Sequence, residues 1–304
     1  MDLTLSELLI VCGSLLLIGL LVSEILDWLQ ILIPLTNNNQ VFIPLPVFDY
    51  TNDNHPHGWK AEFTRRIRTI QSPINIITND SVVIQGGDLL DWIDYSTQPE
   101  MMTMTNDGNT ITLRFVWPSG IIPHIEKGPL RYSYNFHSII FYWGISDDVG
   151  SEHGLDNVKY PMEMQLVHVK ANLESPYTVI TTENTDEIAI ISYFFKISED
   201  NNNALDNIAS KLSNVEDIQS KIFIEPFNID TLFPLFKRNF YTFNGSSTAL
   251  PFSENVTWMI YPEPLNIART QMEKFRKINL LKREEIKKYQ PIQTFNEQTV
   301  YFYE

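Results

Sequence analysis

The chain has 304 residues, 43% hydrophobic and 19% charged, which suits one large or two small folded domains and excludes a disordered or collagen-like protein. Against 37 Asp plus Glu there are 22 Lys plus Arg, a formal charge of −15. That charge argues against a general nucleic-acid binder, since such affinity comes largely from cationic phosphate contacts. The single cysteine, Cys12, excludes intramolecular disulfides, cysteine-based zinc sites, CxxC redox chemistry and iron–sulfur clusters, leaving six histidines for any metal.

From Leu8 to Ser23 no residue is charged, and Leu8–Val22 are almost all aliphatic; after Glu24 and Asp27 the apolar run resumes from Trp28 to Ile33. A membrane-spanning helix needs about 17–25 apolar residues and a signal-peptide core about 7–15, and this segment lies between them. Its first charges are the acidic Asp2 and Glu7, and bulky Leu21 stands where a cleavage site wants a small residue. The reading is a single-pass signal-anchor or transmembrane helix over 1–35, with a cleaved signal and secretion as the second reading and a buried apolar helix as the third. No basic flank sets its orientation. A short connector over 36–46 then leads to one domain over 47–304. Sequons at Asn79, Asn244 and Asn255 add nothing, since chance supplies as many in so Asn-, Ser- and Thr-rich a chain.

Strand-like runs follow at Ser81–Ile84, Thr110–Trp117, Ile139–Trp143, Met162–Val169, Ile188–Ile197 and Val256–Tyr261, β-branched or aromatic and bounded by turn residues. Two helices are expected. One places Leu205, Ile208, Leu212 and Val215 on an apolar face, and the other runs from about Asn266 to Ile286 with Met272, Phe275 and Leu280 as its apolar positions. Many strands and few helices predict a mainly β domain of the α+β type, a large sheet edged by helices.

Several motifs recur in fixed order. They are Gln71-Ser72-Pro73-Ile74-Asn75-Ile76, Phe141-Tyr142-Trp143-Gly144, Gly150-Ser151-Glu152-His153 with Asp156, and Glu163-Met164-Gln165-Leu166-Val167-His168. Tyr241, Gly245-Ser246-Ser247-Thr248, Pro251 and Ser253 to Trp258 come next, then Gln271–Arg276 and Gln290–Val300. Over roughly Val47 to Phe302 these blocks resemble the α-class carbonic anhydrases. The resemblance implies a large twisted, mostly antiparallel sheet with a conical cleft, at whose base three histidines from two strands hold zinc. Zinc so held lowers the pKa of its bound water to about 7.

Aligned on those motifs, the three ligand positions fall on Ile140, Tyr142 and Gln165. Isoleucine has no donor atom, a neutral phenol is a poor ligand, and an amide oxygen suits harder cations than zinc. In this the chain resembles the inactive carbonic-anhydrase-related proteins, and no zinc or other cofactor is expected. His137 and His168 lie an odd number of residues from Ile140 and Gln165, which predicts that they face the other side of their strands. The proton-shuttle position falls on Asn109, which carries no proton at neutral pH. Glu152 and Thr248 match the pair that orients the zinc-bound hydroxide in the family, and are read here as a buried structural hydrogen bond. Val167, Ile190 and Trp258 match the apolar cleft wall and read as core-lining rather than as a ligand pocket.

Ala249, Leu250 and Phe252 alter the loop at the cleft mouth, and Phe252 stands where secreted relatives place a disulfide cysteine. His153 and His168 match structural hydrogen-bonding positions, while His55, His57 and His124 read as solvent-facing loop residues. Tyr142 and Gln165 are expected to bond to each other, or to a trapped water, in the vacated zinc volume. Basic residues gather at Arg65, Arg66 and Arg68 and again at Lys274, Arg276, Lys277, Lys282, Arg283, Lys287 and Lys288; the second group reads as a solvated helix face, and both together would suit a sulfated glycan. The resulting expectation is a zinc-free binding module tethered to a membrane and recognising a protein or glycan. A structural subunit of a membrane complex is the second reading, and a carbonate dehydratase with an atypical metal site the third.

Overall fold

A computed structural model describes residues 72–173, 186–246, 256–280 and 298–304. The expected anchor and connector, Cys12, His55, His57, the arginines at 65, 66 and 68, the loop residues Thr248, Ala249, Leu250 and Phe252, and the basic residues beyond 281 lie outside the described residues.

The first strands are β1 (Asn75–Ile76), β2 (Val82–Ile84), β3 (Leu90–Ile93), β4 (Met101–Asn106), β5 (Ile111–Val116) and β6 (His124–Lys127). The centre is built from β7 (Tyr134–Trp143), β8 (Gly154–Leu155), β9 (Met162–Lys170) and β10 (Ile188–Ser198). Then come β11 (Lys221–Ile224), β12 (Phe240–Gly245), β13 (Val256–Ala268) and β14 (Tyr301–Tyr303). A 12-stranded mixed sheet runs in the order β11-β4-β5-β7-β9-β10-β13-β12-β14-β2, with β3 and β6 attached beside β7. Its pairs are antiparallel except β10 with β13 and β14 with β2, and β1 pairs with β8 separately. The expected mainly β architecture is the one observed.

Central strands read as they do because both their faces are covered. From Ile188 to Phe195 β10 is buried throughout, and β9 is buried from Met162 to Val169, so their sequences are near-continuous apolar runs rather than alternations. One face packs on a large aromatic core that includes Tyr95, Phe136, Phe141, Tyr193 and Phe275. The other carries a smaller cluster of Ile74, Val167, Ile190, Phe243, Trp258 and Ile260, against which Ile140 packs.

Both expected helices are shorter than their apolar spacing suggests. The first divides into α1 (Asn203–Ala209) and a 3-10 turn over Leu212–Val215, with all four apolar positions buried. Asn202 caps it, its side chain accepting from Ala204 N at 3.1 Å. The second is α2 (Arg269–Arg276), because β13 continues to Ala268 and takes the first residues assigned to it. Gln271 fixes that boundary, with Oε1 accepting from Ala268 N and from Asn202 N, each at 3.1 Å. Met272 and Phe275 are buried as expected. Among the described residues no helix is long and apolar enough to cross a membrane.

Candidate functional site

Strand register brings the three ligand positions together. Ile140 on β7 pairs with Gln165 on β9, and Tyr142 pairs with Glu163. Directly paired residues share a face, and residues two apart on one strand share it too. Ile140, Tyr142, Glu163 and Gln165 therefore crowd one patch of the sheet, joined by Ser192 of β10, the partner of Gln165. The turn after β7 is fixed by Gly144, where an added Cβ would lie 1.8 Å from Val149 O.

Glu163 is the centre of this patch, and the motif reading passed over it although it opens the Glu163–His168 block. It is fully buried and accepts four hydrogen bonds. These come from Gln165 Nε2 at 2.9 Å, Ser192 Oγ at 2.8 Å, His153 Nδ1 at 3.0 Å and His153 N at 2.9 Å. Burial pushes its carboxyl upward, but the charge and hydrogen bonds of His153, with the bond from Gln165, hold it down at about 2. His153 thus has the structural role expected of it. Its ring also meets Trp258 edge to face, centroids 4.4 Å apart, joining the polar network to the apolar wall. Gln165 donates to Glu163, a partner that the sequence reading of Tyr142, Gln165 and a trapped water did not include.

Glu152 is buried beside this network, and burial together with the Glu163 charge raises its carboxyl to about 8. Lys159 donates from Nζ to the backbone carbonyls of Ser151 and Glu152, and burial pushes its ammonium downward. Thr248, the expected partner of Glu152, lies outside the described residues. Val167, Ile190 and Trp258 fall in one row across β9, β10 and β13, all buried. Asn109 is exposed in the turn between β4 and β5, its backbone N–H donating to Asp107 Oδ1 at 2.8 Å.

Three histidine assignments can now be compared with geometry. His168 is buried and faces the large core, 2.5 Å from the Tyr95 hydroxyl, as expected. His124 is the first residue of β6 rather than part of a loop. His137 departs from the odd-number argument. The β7–β9 register shifts between Phe136, opposite His168, and Ser138, opposite Val167, so His137 is an extra bulged residue. A bulge sets two residues against one partner, and His137 accordingly stands beside Ser138, Nδ1 to Oγ 3.0 Å, on the cleft face. Counting residues assumes unbroken alternation, and the bulge breaks it.

The distant motif blocks also meet. Ser72 N donates to Ser246 Oγ at 2.9 Å, Trp258 Nε1 donates to Ser246 O at 3.0 Å, and Asn75 pairs with Gly154. A family model for eukaryotic-type carbonic anhydrases matches residues 54–304. The chain belongs to the carbonic anhydrase family. It is 31% identical over 230 residues to human carbonic anhydrase 7, covering 75% of this chain and 84% of that protein. To the putative carbonic anhydrase 3 of Caenorhabditis elegans it is 30% identical over 234 residues, 76% and 88% of the two chains.

Membership in the carbonic anhydrase family implies zinc, and the donor set here does not fit it. Ile140 offers only carbon and packs on the apolar cluster, while the amide nitrogen of Gln165 is turned to Glu163. Among the described residues no three His, Cys, Asp or Glu side chains gather as a metal would require.

Of the basic residues, Arg276 is not merely a solvated side chain on a helix face. It donates to Gly144 O at 3.0 Å and pairs with Asp147 at 2.8 Å, tying α2 to the turn after β7.

Proposed function

We propose that this member of the carbonic anhydrase family is a zinc-free binding module, held at a membrane by its N-terminal apolar segment, rather than a carbonate dehydratase. One observation carries the reading: the three side chains that share the base of the cleft, Ile140, Tyr142 and Gln165, contain no imidazole. Without a nitrogen ligand set there is no activated hydroxide at neutral pH, and the family's chemistry depends on that hydroxide. The surviving carboxylate, Glu163, is saturated by protein donors and works as a structural anchor. Such a network is costly to break and does not need an ion to be stable.

The tether rests on the sequence from Leu8 to Ile33. The same segment supports the second reading, a subunit of a membrane assembly. Metal analysis and carbon dioxide hydration on the purified chain test the first claim, with no bound zinc and no hydration expected. Tightly bound zinc in stoichiometric amount would overturn it. Extraction in mild detergent tests the second, since co-purification at fixed stoichiometry identifies a subunit.

A further inference from the structure

Away from the cleft, a cavity of about 580 Å³ opens where the loop after β10 meets the end of β13 and the chain leaving a 3-10 turn over Ile229–Thr231. Small-molecule sites commonly measure about 300–1,000 Å³. The cavity lies on the large-core side of the sheet, since Leu232 and Phe233 belong to that core and Leu265 packs against it. Its lining divides into two kinds of surface. Leu232, Phe233 and Leu265 make an apolar floor, the first two almost wholly buried. Around this floor stand Asp200, Asn201, Asn203 and Asn266, all exposed. Asp200 is the one charged group in the lining, and no Lys, Arg or His joins it.

Hydrogen bonds within the protein separate the side chains that build the wall from those left for a ligand. Asn202 is committed to the wall, with Oδ1 accepting from Ala204 N at 3.1 Å and Nδ2 donating to Asn266 O at 2.7 Å. Its own carbonyl accepts from Gln271 Nε2 at 2.8 Å. Asn201 spends both amide hydrogens, on Asn203 Oδ1 at 3.2 Å and on Asp206 Oδ2 at 2.7 Å. Asn203 Nδ2 therefore remains as a donor and Asn201 Oδ1 as an acceptor. Asp200 ties the loop through its backbone N–H, which donates to Ser198 Oγ at 3.2 Å, while its carboxylate has no partner among the described residues. Asn266 gives its backbone carbonyl to the wall, and its side-chain amide likewise has no partner among them. A wall fixed in this way is ordered before any ligand arrives, which lowers the cost of binding.

The free groups are a carboxylate, a whole amide, one more donor and one more acceptor. They suit a ligand rich in hydroxyls, since each hydroxyl both donates and accepts. A charged acceptor makes the stronger of such bonds. Phosphate, sulfate and carboxylate ligands meet no cation here, only the like charge of Asp200. Nor do three acidic or imidazole side chains gather for a metal among the described residues. We propose that this cavity binds a neutral sugar, its ring face on Leu232, Phe233 and Leu265 and two adjacent hydroxyls on the Asp200 carboxylate. The Asn266 amide and Asn203 Nδ2 take further hydroxyls at the rim. The site is separate from Ile140, Tyr142 and Gln165 and holds whether or not the chain carries zinc, so it goes beyond the binding-module reading.

The full chain is purified in a detergent without a sugar headgroup. Maltotriose, mannotriose and N-acetyllactosamine are the neutral probes, a heparin disaccharide is the sulfated control, and saturation-transfer NMR titrations give each Kd. At least one neutral probe is expected to bind, with saturation strongest on its ring C–H protons. The heparin disaccharide should not displace it, and EDTA should leave its Kd unchanged. Asp200→Ala and Asn266→Ala should each weaken that probe about tenfold. Both side chains are exposed and unpartnered, so the variants are expected to keep the parent's unfolding midpoint. Saturation of none of the three probes, a Kd unchanged in both variants, displacement by the heparin disaccharide or loss of binding in EDTA would each overturn the proposal. Zinc content and hydration, measured separately, decide the earlier reading. A zinc-loaded protein that binds the sugar refutes that reading alone, and a zinc-free protein that binds none of the probes refutes only this one.

Discussion

Gln165 and Glu163 lie two residues apart on one face of β9, and the amide of the first donates to the carboxylate of the second at 2.9 Å. The third ligand position of the family is thus still hydrogen-bonded to a buried anion. A histidine at 165 would present a ring N–H to the same acceptor, and such outer partners orient a metal-binding imidazole.

Ile140→His, Tyr142→His and Gln165→His introduced together are therefore expected to raise zinc affinity over that of the unaltered chain. Adding Glu163→Gln to that triple variant should weaken the new site by about 10–100-fold. Competition with a zinc-binding dye measures both. A triple variant that takes up no zinc would show that the strands no longer hold the three positions in family geometry.

The four hydrogen bonds to Glu163 make it the most sensitive polar residue of the cleft base. Glu163→Ala removes a fully buried charge and strands its donors, at a cost of about 3–5 kcal/mol. Ser192→Ala loses a single bond to that charge and is expected to cost about 1.5–3 kcal/mol. Urea unfolding followed by tryptophan fluorescence ranks the two. Equal midpoints for both variants would contradict the anchoring role.

Glu163 and Glu152 titrate in opposite directions from the ordinary glutamate value of 4.5. Glu163 is depressed, so its contribution is present above pH 4.5 and is lost as pH falls toward 2. Glu152 is raised, so the folded state keeps a proton that the unfolded chain gives up. Stability then declines as pH rises from 4.5 toward 8, by an amount of the order of a few kcal/mol. Glu152→Gln should flatten that decline while leaving the acid limb in place. Unfolding midpoints across pH for the two proteins test the sign as well as the size.

Motif spacing made the fold and the cleft base legible, because the chemistry of the family is written in short runs on two adjacent strands. Ile140, Tyr142 and Gln165 can be placed together for that reason, and the structure pairs Ile140 with Gln165 and sets Tyr142 two residues further along β7. Glu163 stands in its motif with no role assigned, since nothing local reveals that Ser192 and His153 converge on it. The helix boundary at Ala268 was hidden because Met272 and Phe275 continue a periodicity that the end of β13 interrupts from behind.

The bulge in β7 has a consequence for chain length. Tyr134 and Phe136 pack in the large core, while Ser138, Ile140 and Tyr142 point into the cleft, although all five are even-numbered. Loss of one residue from a regular strand turns everything on one side of the gap over. Removing His137 instead makes Phe136 and Ser138 ordinary neighbours, opposite the consecutive His168 and Val167, and leaves both halves of the strand facing as they do now. A His137 deletion should therefore fold with a modest loss of unfolding midpoint, and an Ile139 deletion should not fold at all. Relatives that differ here by a single-residue gap would keep the same cleft.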